Sequence, residues 1–181
     1  MTVIIDGSAS ADFATPLPLT EGGTGIATAT TAIVQIVNTQ TGAVATGTTV
    51  MPVDDTIPQN TEGNEYMTLA ITPKHADNKL KIEVVAQFGF SVNTAITSGA
   101  LFKDSVASAV AAAIGVNVGT NGISSPIVIN YTVVAGSTSA TTYKVRIGSS
   151  SAGTTTFNGD SGGRKFGGVM SSSITITEYT A

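Results

Sequence analysis

The stretch Asn78-Lys79-Leu80-Lys81-Ile82-Glu83-Val84-Val85-Ala86-Gln87-Phe88-Gly89-Phe90-Ser91 puts Leu80, Ile82, Val84, Ala86, Phe88 and Phe90 on one parity and Lys79, Lys81, Glu83, Gln87 and Ser91 on the other. Side chains of a β-strand alternate sides with a period of two, so this stretch predicts a long strand with one face for a dry core and one for water or a neighbour. Weaker copies of the pattern recur at 33–37, 43–50, 66–72, 100–103, 127–134, 142–147 and 174–179. Together they predict an all-β chain, an antiparallel β-sandwich of seven or eight strands.

Between the first two of these segments Thr41-Gly42 reads as a hairpin or bend, and the polar run 52–65, broken by Pro52 and Pro58, as a long surface loop. Segment 105–114 has two readings. Its alanines suit a helix capped by Asp104 or Ser105, yet a short apolar run in β surroundings favours a strand, and small side chains there would let another sheet or subunit come close. Residues 154–168 read as glycine-rich loops around short strand pieces, with Asn158-Gly159 as a turn dipeptide.

Residues 1–32 differ from the rest. Val3-Ile4-Ile5 could form a short strand, but Pro16, Pro18, Gly22, Gly23 and Gly25 punctuate a segment without sustained periodicity, which predicts an extended N-terminal arm, either mobile or laid against another subunit or a host particle. Residues 33–181 then form the head domain.

Charged residues make up 11% of the 181, well under the roughly 25% usual in globular proteins. Ser and Thr supply about a quarter of the chain, so the surface is neutral and rich in hydroxyls. Eight Lys and Arg against twelve Asp and Glu give a net charge of −4, without the basic stripe that nucleic-acid binding requires. Cysteine is absent, which removes disulfides, thiolate nucleophiles and thiolate zinc ligands. The N-terminus lacks the basic and apolar regions of a secretory signal, and no apolar run approaches the ~20 residues of a membrane-spanning helix. Synthesis in a cytoplasm, without membrane insertion, is the expectation.

Two segments carry a resemblance. Leu19-Thr20-Glu21-Gly22-Gly23-Thr24-Gly25 resembles the Leu-x-x-Gly-Gly-Thr-Gly element that recurs in bacteriophage tail-fibre proteins before a repeat or terminal domain. Residues 55–181, with Ile57-Pro58-Gln59-Asn60-Thr61-Glu62-Gly63-Asn64-Glu65-Tyr66-Met67, Ala100-Leu101-Phe102-Lys103-Asp104-Ser105 and Phe166-Gly167-Gly168-Val169-Met170, resemble a C-terminal module of phage fibre and related structural proteins. The resemblance implies a jelly-roll head similar to tumour-necrosis-factor-like domains, associating as a homotrimer on a virion. It implies attachment to a host cell-surface glycan or protein, with residues 1–32 joining other virion proteins. No shaft repeat separates arm from head, so capsid decoration, or a head fibre without an essential receptor role, stands as the alternative.

Sites of chemistry are sparse. His75 is the only histidine and sits in a polar turn, Thr72-Pro73-Lys74-His75-Ala76-Asp77, which reads as an exposed turn residue. Asp54, Asp55, Glu62 and Glu65 are the densest carboxylates, but they lack calcium-loop spacing and read as a solvated loop. They are the only motive for a polysaccharide-degrading activity. Neither Gly22-Gly23-Thr24-Gly25 nor Gly162-Gly163-Arg164-Lys165 matches a phosphate-binding loop. No catalytic residue, metal or cofactor is expected. Most aromatics fall on strands and read as core, leaving Tyr66, Phe157 and Phe166 as candidates for a ring exposed to a receptor.

Overall fold

The computed structural model describes residues 31–92, 95–115 and 126–181, and among them every regular element except a 3₁₀ turn at Phe166–Gly168 is a β-strand. In chain order these are β1 (Ile33–Thr41), β2 (Ala45–Gly47), β3 (Asn64–Ile71), β4 (Lys79–Ala86), β5 (Phe88–Phe90), β6 (Thr97–Lys103) and β7 (Ala111–Gly115). They continue as β8 (Ile127–Val134), β9 (Thr141–Ser149), β10 (Thr155–Phe157), β11 (Gly159–Asp160), β12 (Gly163–Arg164) and β13 (Ser172–Tyr179). One four-stranded sheet has the order β1-β13-β4-β8 and a second the order β3-β9-β6-β7; β2-β10-β5 and β11-β12 form two small sheets. The pairings within them are antiparallel.

The alternating stretch lies at the centre. Ile82 on β4 faces Ile176 on β13 and Tyr131 on β8, and Leu80, Ile82, Val84 and Ala86 are all buried. They share one core with Ile174 and Ile129 of their own sheet and with Met67, Leu101, Tyr143, Val145 and Ile147 of the other. A single core fed by both large sheets is consistent with a β-sandwich. Each such aliphatic contributes about 1.5–3 kcal/mol on burial. A glycine marks one close approach: a Cβ at Gly99 on β6 would lie 2.8 Å from Ile127 Cγ2 on β8, so the backbone of one sheet abuts a side chain of the other. Ile33–Ala181 forms one compact unit; the expected arm, 1–32, lies almost wholly outside the described residues.

Two expectations change in detail, one pair of alternatives is decided and one expectation holds. The long strand breaks at Gln87, where β4 ends and the chain leaves for the small β2-β10-β5 sheet. The Gln87 N–H donates to the Ser172 hydroxyl (2.8 Å) and its carbonyl accepts from the Asn158 N–H (2.9 Å), so this peptide is withdrawn from the ladder while Phe88 and Phe90 stay buried. Thr41-Gly42 is a bend and not a hairpin, because β1 pairs with β13 and β2 with β10. Of 105–114, only the end is strand, within β7. The Ala109 and Val110 N–H groups donate to Pro58 and Leu101 carbonyls, which are distant in sequence, and so take no part in a helix. The short strand pieces expected within 154–168 are β10, β11 and β12, and β10 sits between β2 and β5 in a fully paired position.

The loop expected at 52–65 ends where β3 begins, at Asn64, and it forms an ordered strap. Asn60 N–H donates to the Ala107 carbonyl (2.7 Å), Ala109 N–H to Pro58, and Gln59 bridges Ser108. Arg146 on β9 fastens its return, Nε to the Glu62 carbonyl (2.8 Å) and Nη2 to that of Gly63 (2.7 Å). Met51, Ala100 and Phe102 are buried together, with Ala109 packed on them, in a second small cluster. It lies on the far face of β6 from the core residue Leu101, by the alternation of the strand.

Candidate functional site

The polar candidates are dispersed into local tasks. His75 is an exposed turn residue whose Nδ1 accepts the Asp77 N–H (3.2 Å). Asp54 Oδ1 accepts both the N–H and the hydroxyl of Thr56, and these bonds hold its carboxyl below the usual range. Glu62 caps the Gln59 N–H (3.0 Å), while Glu65 lies 3.8 Å from both Lys144 and Arg146. Among the described residues no three His, Cys, Asp or Glu side chains gather as a metal site would require.

Of the three aromatic candidates, two meet each other and the third stands apart. Tyr66 and Phe157 stack with ring centroids 5.0 Å apart and planes at 16°. Phe157 is 2% exposed, since β10 is flanked on both edges, so its expected role as an exposed ring is corrected to core packing. Tyr66 is half-buried with one face on Phe157; its hydroxyl is buried without a hydrogen-bond partner, and burial pushes its pKa up to about 12. Neither offers a free ring.

Phe166 does. It is 79% exposed and Val169, which composition alone did not single out, is 81% exposed. The turn that carries them is unusual: Phe166 has φ 49°, Gly167 φ 65° and Gly168 φ 99°. A left-handed conformation costs a non-glycine residue roughly 1–2 kcal/mol. The turn is closed by Gly168 N–H to the Lys165 carbonyl (2.9 Å) and Val169 N–H to that of Phe166 (3.3 Å). Lys165 is paired with Asp160 at 3.3 Å, and the Arg164 side chain lies under Gly168, where an added Cβ would be 3.0 Å from Cδ. Two large apolar side chains are thus held into solvent by a turn with a fixed shape, over a shallow hollow of about 360 Å³ that also involves Gln87, Met170 and Ser171. Such a knob can stack on a flat apolar face or enter a partner's pocket; it has no group for bond chemistry. No protein-family model matches this chain, and no curated protein does.

Proposed function

We propose that the chain is a bacteriophage virion structural protein of the short tail-fibre type, displaying a trimeric jelly-roll head for attachment to the host surface. Residues 1–32 would join it to other virion proteins. The observation that carries attachment is the Phe166–Val169 turn, because a strained backbone that presents apolar side chains to water loses stability unless the presentation serves a contact. Strand order supports the jelly roll. Apart from β6 to β7, each step along the eight long strands β1, β3, β4, β6, β7, β8, β9 and β13 crosses between the two large sheets, as in a double Greek key. Trimerisation draws support from Ile33, Ile36, Val85, Val128 and Val134, exposed aliphatics at outward positions of the β1-β13-β4-β8 sheet. A monomer leaves these wet, whereas an obligate interface of roughly 2,000 Å² or more would cover them.

Light scattering of the 18.1 kDa chain at micromolar concentration is expected to give three chain masses, and a monomer mass removes the trimer. For attachment, the test is Phe166→Gly. Glycine relaxes the left-handed φ, so stability should hold or rise by about 1 kcal/mol. Adsorption of the particles to host cells should nonetheless fall at least tenfold. Unchanged adsorption, for this variant and for particles lacking the protein, overturns the attachment role. The exposed aliphatic face would equally suit seating on a capsid, the decoration reading. Electron cryomicroscopy separates the two by finding density at the tail tip or collar, or at capsid symmetry axes.

A further inference from the structure

A second surface has the makings of a ligand site. The strap leaves a groove of about 430 Å³ against the edge of the β3-β9-β6-β7 sheet, between Pro52, Val53 and Asp54 on one side and Ser98, Ala112 and Ile114 on the other. That volume falls within the roughly 300–1,000 Å³ of small-ligand pockets. A neighbouring hollow of about 420 Å³ shares Asp54, Thr56, Pro58 and Ala112, so the groove continues along β7 as a trench.

Three features define what it would hold. Ser98 is 6% exposed, and its buried hydroxyl has no hydrogen-bond partner. Its position on β6 puts it on the same face as Ala100 and Phe102, the face the strap crosses, so it sits in the groove wall with an unused donor and acceptor. Asp54 spends Oδ1 on Thr56, while Oδ2 has no partner among the described residues. Val53 and Ile114 add exposed aliphatic surface to the wall, and among the described residues no lysine or arginine lines either hollow.

We propose that this groove binds a neutral saccharide of about two rings. A pyranose offers one apolar C–H face, which suits Val53 and Ile114, and vicinal hydroxyls, which can donate to the free Asp54 oxygen and exchange a hydrogen bond with Ser98. Acidic sugars and phosphate esters are disfavoured, because Asp54 and Asp55 line the trench without a compensating cation. This inference rests on the attachment role and names a ligand class for it.

The experiment is an amide chemical-shift titration of the full-length protein with maltose, lactose and cellobiose, and with 3′-sialyllactose as the acidic comparison. At millimolar concentration at least one neutral disaccharide should shift Ser98, Thr56, Ala112 and Ile114, with little response to 3′-sialyllactose. Ser98→Ala should weaken that binding roughly five- to tenfold, the worth of one hydrogen bond. Its thermal midpoint should be unchanged or higher, since the removed hydroxyl has no partner to lose. Ala112→Phe, at an exposed position, fills the trench and should abolish the shifts. The proposal is overturned by absent shifts with all three neutral disaccharides, by equal binding of 3′-sialyllactose, or by undiminished affinity in Ser98→Ala. Host adsorption tells the two levels apart: adsorption lost in Phe166→Gly but intact in Ala112→Phe sinks the groove and leaves the head's role standing. Disaccharide shifts without any adsorption do the reverse.

Discussion

Replacing Asn158 by alanine is expected to lower the unfolding free energy by about 4 kcal/mol, the largest loss we anticipate from any single polar substitution in this chain. Asn158 is fully buried, and its side chain is the knot between four segments. Its Nδ2 donates to the carbonyls of Thr41 (2.8 Å) and Ala43 (3.1 Å), its Oδ1 accepts the Ser172 hydroxyl (2.6 Å), and Ser172 in turn accepts the Gln87 N–H. Alanine leaves the buried Ser172 hydroxyl without its acceptor, at a cost of about 1–3 kcal/mol, and takes the shared donor from the part-buried bonds to the Thr41 and Ala43 carbonyls. The backbone adds a separate term, because Asn158 sits at φ 52°, which asparagine tolerates and alanine does not. Glycine separates the two causes. Asn158→Gly keeps the left-handed turn and loses only the hydrogen bonds, so denaturant titration should place it about 1 kcal/mol above Asn158→Ala and well below the parent. A loss under 1 kcal/mol for alanine would mean that the four segments are held by packing alone.

That knot also shows where reading residues in a row stops being informative. The alternation from Leu80 to Phe90 was legible because period two is a local property, and all six residues of its apolar parity are buried. The break at Gln87 was not legible, since a polar residue there fits the alternation and the hydroxyl that claims its N–H is 85 residues away. Phe157 misled for a related reason. Strands of three residues such as β2, β5 and β10 are too short to display a period, and their Thr and Gly neighbours look like loop. Asn158-Gly159 was recognisable as a turn, but nothing local distinguishes a turn on the surface from one buried at a junction of sheets. The Phe166 turn is the opposite case: an aromatic among glycines and cations had no strand partner to bury it, and it is exposed. Ser98 carried no signal at all. Its isolation depends on a strap whose course is set by Arg146 and by pairing with 107–109, long-range contacts that no spacing encodes.

Glu178, which has no ionic partner among the described residues, should make stability fall on acidification. It lies on β13 with none of its surface exposed, and its carboxylate accepts hydrogen bonds from the Lys74 N–H (2.8 Å), the His75 N–H (3.3 Å), Asn78 Nδ2 (2.6 Å) and Gln35 Nε2. Burial alone would raise its pKa. Four donors aimed at the charged form outweigh that, and its pKa is held below the usual carboxylate range. A group whose folded pKa is depressed stabilises fully above its unfolded pKa of about 4.3 and loses that contribution as pH falls through the folded value. Wild-type unfolding free energy should therefore decline below about pH 4.5, and this component should be insensitive to salt because every donor is uncharged. Glu178→Gln puts an amide N–H₂ where donors converge; two donors then face each other, at a cost of about 3 kcal/mol at pH 7. The variant should also lose the Glu178 component of the acid slope, so the gap between the two proteins narrows toward pH 3. Parallel pH profiles with a constant gap would show that Glu178 has the same pKa in the folded and unfolded chain, so that the four donors do not favour its charged form over water.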